Sequence, residues 1–180
     1  MFRRQLRHYV RSAEGISAVE FALIAPLLIT ILFGTIEVCN ALICRQKITT
    51  VASSGSDLVA QDSAITVAQI NDVFAALNAI VYPYPSAGAQ IIITSVKNDP
   101  NHAGQYIVDW SEAQNTTAHT KNASITMPTG IVPTGGSVIF SEVTYNYAPI
   151  TTIFFPGSVS MSDHFYSKPR KSSFVVCSDC

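Results

Sequence analysis

The sequence predicts an α+β protein in which a long N-terminal membrane helix continues into an external domain with a second helix and an antiparallel sheet. Three observations carry this. Fifteen of the twenty-one residues from Ile16 to Ile36 are apolar, and helical spacing continues beyond them. A second amphipathic stretch follows at Thr66 to Ile80. After Gln90 the pattern changes to short alternating segments separated by turn residues. Helices come first and strands after. With 180 residues the chain has room for one span and one modest domain.

Residues 1–15 read as a basic cytoplasmic leader, too short to fold and suited to an anionic inner leaflet. Arg3, Arg4, Arg7 and Arg11 stand in it against Glu14, whereas Arg45 and Lys47 alone follow the apolar run closely. The positive-inside rule therefore places the N-terminus in the cytoplasm and the body of the protein on the other side.

Residues 16–37 are the expected transmembrane helix. About twenty residues at about 1.5 Å each cover the roughly 30 Å of a bilayer's hydrocarbon core. Pro26 sits mid-helix and predicts a kink, tolerated because Ser, Thr or neighbouring helices satisfy the freed carbonyl. Gly34 and Thr35 offer a small surface to a helix neighbour. A secretory signal peptide is the competing reading, but its apolar region is shorter, and this one carries Glu20, Pro26 and Glu37.

Glu20 needs an explanation of its own. A carboxylate inside a spanning helix costs about 2.5–3.5 kcal/mol on the milder insertion scales unless it reaches water or a partner. Either it snorkels to the headgroups or pairs with Arg11, or it meets a positive charge from another molecule.

Residues 38–62 are read as the extramembrane continuation of the same helix, with Val38, Ala41, Leu42, Ile48, Val51 and Ala52 near helical spacing and no proline. Residues 63–180 form the expected domain. Its helix at 66–80 places Val67, Ile70, Val73, Phe74, Leu77 and Ile80 on one face, with Ser63 and Thr66 as capping candidates and Pro83 and Pro85 as stops. A hairpin follows, one strand from Ile91 and the next from Gln105, joined by Asn98, Asp99, Pro100, Asn101 and Gly104. Residues 111–136 read as a surface loop with one short element around Ala123 to Met127. The longest strand is expected at Ser137 to Tyr147, stopped by Pro149, with shorter ones at Val159 to Tyr166 and Ser172 to Cys177.

Composition excludes several functions. Charged residues make up only 13% of the chain, and the basic residues beyond Lys47 are dispersed, so a nucleic-acid footprint is not expected. The four histidines are scattered, no G-x-S-x-G occurs, and no glycine-rich phosphate loop follows a strand. No enzyme activity, cofactor, metal or small-molecule substrate is expected. Cys177 and Cys180 form a single C-x-x-C, too little for a zinc site, and are a candidate disulfide. Cys39 and Cys44 fall on different faces of one helix and read as packed thiols.

Gly15, four residues, then Glu20, all leading into an apolar helix, is similar to the layout of type IV prepilin-like proteins. More closely, Gly15, Glu20, Phe21, Ala22, Leu23, Pro26, Gly34 and Glu37 resemble the TadE-like family, pseudopilin-type proteins of the bacterial tight adherence (Tad) pilus machinery. Asp109, Trp110 and Ser111, then Glu142, Val143, Tyr145, Tyr147 and Pro149, and finally Tyr166, Pro169 and Arg170 extend the likeness more loosely. The resemblance implies a pilin-like fold, an inner-membrane location with a periplasmic domain, and a non-catalytic role in assembling an adhesive pilus. Implied partners are a prepilin peptidase cutting between Gly15 and Ile16, the major pilin, other pseudopilins and the lipid bilayer. Glu20 would then be the subunit-pairing carboxylate, facing a neighbour's new α-amino group. Phe21 after Glu20 and the large domain depart from the short major pilins, which argues against the bulk fibre subunit. An uncleaved, membrane-anchored periplasmic module that recruits or regulates envelope components is the alternative.

Overall fold

The computed structural model describes residues 13–102, 104–151 and 157–180. Helix α1 runs unbroken from Ala13 to Ala60 through Pro26, and its 48 residues extend about 72 Å. Side chains from Ile16 to Phe33 are largely exposed, whereas Cys44, Ile48, Val51, Ala52, Val59 and Ala60 are buried. One helix thus supplies both an apolar rod and a central pillar of the core. By length and composition its N-terminal part can cross a membrane.

Strand β1 (Ala64–Ile65) and helix α2 (Val67–Val81) follow. Thr66 is the α2 N-cap and forms a capping box with Gln69, which satisfies donors at the helix start reciprocally. Of the two capping candidates, it is Thr66 that caps. Ile70, Phe74, Leu77 and Val81 are the fully buried residues of α2, and Val73 and Ile80 pack at the margin of the same core.

Five strands form the sheet: β2 (Ala89–Asn98), β3 (Tyr106–Gln114), β4 (Ser124–Ile125), β5 (Ser137–Tyr147) and β6 (Val159–Ser167). Their order is β4-β3-β2-β5-β6, with every neighbouring pair antiparallel. The alternation of β5 sends Ile139, Val143, Tyr145 and Tyr147 to the core shared with α1 and α2. Val138 and Phe140 face the other way, into a smaller cluster with Val96, Tyr106, Met127 and Val132. The segment after β4 covers that second face.

Two expectations are corrected. Strand β3 does not end at Trp110; Ser111 to Gln114 pair with Ile91 to Thr94, and Ser111 Oγ lies 2.9 Å from Thr94 Oγ1. A cross-strand partner makes that polar segment part of the sheet. The expected strand at Ser172–Cys177 shrinks to β7 (Val176–Cys177), which pairs parallel with β1 outside the main sheet. There the Val175 carbonyl accepts from Trp110 Nε1 at 2.8 Å, and Ser172 Oγ turns back to the Phe174 carbonyl. Those groups are committed elsewhere.

Candidate functional site: the apolar helix and its junction with the sheet

Between Ile16 and Ile36, Glu20 is the single charged residue, and it lies exposed on the helix. Among the described residues it has no ion-pair partner. Arg11, the intramolecular alternative, lies outside them. Gly15 and Ile16 belong to α1, and Ile16 is exposed. The threonine hydroxyls of the apolar stretch turn inward: Thr30 Oγ1 donates to the Pro26 carbonyl and Thr35 Oγ1 to that of Ile31, each at 2.8 Å. Glu20 is left as the polar group of this surface with the most to gain from a partner. Farther along, Ile31, Gly34, Thr35, Val38 and Cys39 line a shallow groove on the helix.

At Glu37 the surroundings change. Its side chain is 2% exposed and accepts from the Thr151 backbone N–H at 3.0 Å and from Thr151 Oγ1. A carboxylate that ends an apolar run is thereby used to hold the segment after β5 against α1. Beside it, Tyr84 Oη donates to the Asn40 carbonyl at 2.8 Å. The Tyr84 ring meets Tyr145 and Tyr147 edge to face, with centroids 6.4 and 6.0 Å apart. Burial pushes all three phenols above their ordinary range, and for Tyr147 the Glu37 carboxylate adds to it. They remain neutral and pack as large apolar bodies.

Higher on α1, Thr49 Oγ1 donates to Asp163 of β6, and Arg45 lies 3.9 Å from the same carboxylate. The Thr49 hydrogen bond first, with help from the His164 N–H and Arg45, holds the Asp163 carboxyl below the usual range. Ser56 Oγ sits 2.9 Å from Ser167 Oγ, and Arg170 pairs with Asp57. At Gly55 the helix comes so close to β5 that an added Cβ would lie 2.8 Å from Ser141 Oγ. These contacts fasten α1 to the sheet along its upper half.

The remaining polar groups are dispersed. His119 Nε2 meets Glu142 at 2.6 Å, Lys97 meets Asp109 at 2.5 Å, and His102 meets Asp99 at 2.8 Å. Among the described residues, the grouping of His, Cys, Asp and Glu close enough to share an ion is Cys177, Asp179 and Cys180. Cys177 and Cys180 are bonded to each other, with Cα atoms 5.6 Å apart, so both sulfurs are already used. Cys44 is buried and Cys39 exposed, which corrects the reading of both as packed thiols.

The sequence reading passed over the role of Glu37. Its signal was a carboxylate at the end of an apolar run, with no basic residue nearer than Arg45 to explain it. No curated protein and no solved structure matches the chain. The family model described as TadE-like protein matches residues 15–57, from Gly15 to the closely packed segment around Gly55, so the likeness of this chain to that family lies in its long helix.

Proposed function

We propose that this chain is a non-catalytic pseudopilin of a Tad-type pilus system, anchored in the bacterial inner membrane with residues 63–180 in the periplasm. The observation that carries the reading is Glu20: a lone, exposed carboxylate without a described partner, five residues after Gly15, within a helix that matches the TadE-like model. Hydrolysis of the Gly15–Ile16 bond leaves a carboxylate on Gly15 and an ammonium on Ile16. An ammonium on one subunit and Glu20 on the next, each costly alone in lipid, offset one another as a pair. Prepilin peptidase, the major pilin and sister pseudopilins are the partners this requires.

The test is the intact mass and N-terminal sequence of protein purified from membranes of a host with its matching peptidase, together with piliation of Glu20→Gln. A chain beginning at Ile16, with pili lost in Glu20→Gln, is the expected result. A retained leader, with normal piliation in the variant, refutes the reading.

One observation favours the uncleaved anchor instead. The Gly15–Ile16 bond lies inside α1, and a peptidase must unwind that turn to reach it. Glycine is a poor helix former, worth about 1 kcal/mol less than alanine, so unwinding at Gly15 costs less than elsewhere in the helix, and we retain the processed reading.

A further inference from the structure

We propose that the end of the α+β domain nearest the span is a lipid-seating surface, in which Tyr82 and Ile150 enter the headgroup layer of the outer leaflet. The proposal rests on the reading that α1 crosses the membrane. Tyr82 is 76% exposed and Ile150 77%, more than any other large hydrophobic residue described, including those of the apolar rod. They follow different elements, α2 and β5, yet both segments return to the same level of α1. Tyr84 Oη reaches the Asn40 carbonyl and Thr151 bonds Glu37, within one turn of each other on α1, while Lys47 Nζ, farther along the helix, reaches the Ile80 carbonyl at 3.0 Å.

That level is where the bilayer ends. Counting about 30 Å from Ile16 at about 1.5 Å per residue places the hydrocarbon edge near Ile36, and the headgroup layer occupies the next several ångströms. On α1 itself Val38, Leu42 and Ile43 remain exposed beyond this edge, so exposed apolar side chains continue along α1 past the end of the span.

Charge selects lipid as the occupant. No Asp, Glu, Lys or Arg occurs from Val73 to Val96 or from Val143 to Ser162, and on α1 none lies between Glu37, which is buried, and Arg45. A tyrosine with a wet hydroxyl and an apolar ring, beside an isoleucine, suits the boundary between headgroups and acyl chains. Contact of this kind is driven by apolar burial and is insensitive to lipid charge.

The experiment uses the full chain reconstituted in vesicles of phosphatidylcholine brominated either near the headgroup or near the chain end. A tryptophan is introduced by Tyr82→Trp, Ile150→Trp, Leu28→Trp or Val176→Trp, and its emission is read over the constant background of buried Trp110. Leu28 reports the span, and Val176, beside β1 at the far end of α1, reports the opposite end of the domain. Expected is loss of emission for Leu28→Trp with deep bromines, loss for Tyr82→Trp and Ile150→Trp with shallow bromines at low and high salt alike, and none for Val176→Trp. If Leu28→Trp is quenched while Tyr82→Trp or Ile150→Trp behaves like Val176→Trp, the seat is refuted and the span stands. If Leu28→Trp is unquenched, the span reading fails and the seat with it.

Discussion

Gly55 is where the contact between α1 and the sheet can be tested most sharply. An exposed helical glycine replaced by alanine gains about 1 kcal/mol from backbone propensity. Here the new Cβ would sit 2.8 Å from Ser141 Oγ and 3.2 Å from Leu77 Cδ1, and overpacking of that kind costs about 1–3 kcal/mol. Gly55→Ala alone is therefore expected to lie between neutral and about 2 kcal/mol destabilising. Ser141 is fully buried and its hydroxyl has no hydrogen-bond partner, so Ser141→Ala removes the obstructing atom and a desolvated polar group together. Ser141 Cβ is 3.6 Å from the added methyl, an ordinary contact. In the Ser141→Ala background Gly55→Ala should stabilise by up to about 1 kcal/mol, a coupling of roughly 1–3 kcal/mol between the two sites. Urea unfolding of the four proteins in mild detergent, followed by Trp110 emission, measures it, and each kcal/mol should also move Tm by about 2–4 °C. If the two substitutions add to within about 0.5 kcal/mol, the close approach of α1 to β5 is not what demands glycine at this position.

Three further outcomes follow from contacts described above. Trp110→Phe, which leaves the Val175 carbonyl without its donor, should cost about 1–3 kcal/mol, read by circular dichroism during urea unfolding because the variant lacks its tryptophan. Because the Asp163 carboxyl is held low, its contribution is complete above about pH 4, the ordinary aspartate value, and is lost as pH falls through the lower folded value; Asp163→Asn should remove that part of the acid limb of a stability-pH curve and lower the neutral plateau without changing its slope. Opening the Cys177–Cys180 bond with a reductant should cost no more than about 2 kcal/mol, since the closed loop is very short, and a Tm measured with and without reductant decides it.

The helices and central strands were legible because burial there follows a single period. Apolar residues at helical spacing marked α1 to its end at Ala60, and the alternation from Ser137 to Tyr147 marked β5 to the residue. The misreadings fall where polar residues are paired across distance. Ser111 looks like a loop residue until Thr94 is set beside it, and Glu37 looks like the end of a span until Thr151 folds back on it. Gly15, Ile16 and Glu20 could be picked out from spacing alone, but their use depends on a second molecule, which no single chain contains. Cys39 and Cys44 looked alike in sequence, and only the position of the sheet separates the exposed thiol from the buried one.

Because α1 is a single rod, the membrane and the sheet are mechanically in series. From Glu37 to Ala60 the rod continues for about 35 Å, and α2, β5 and β6 are fastened along it, so a tilt of about 10° within the bilayer carries its far end about 6 Å sideways. The head works as a pointer to the state of its own anchor. Whatever draws, turns or tilts the outer end of the span displaces the far surface of the protein in proportion, because α1 is unbroken from Glu37 to Ala60.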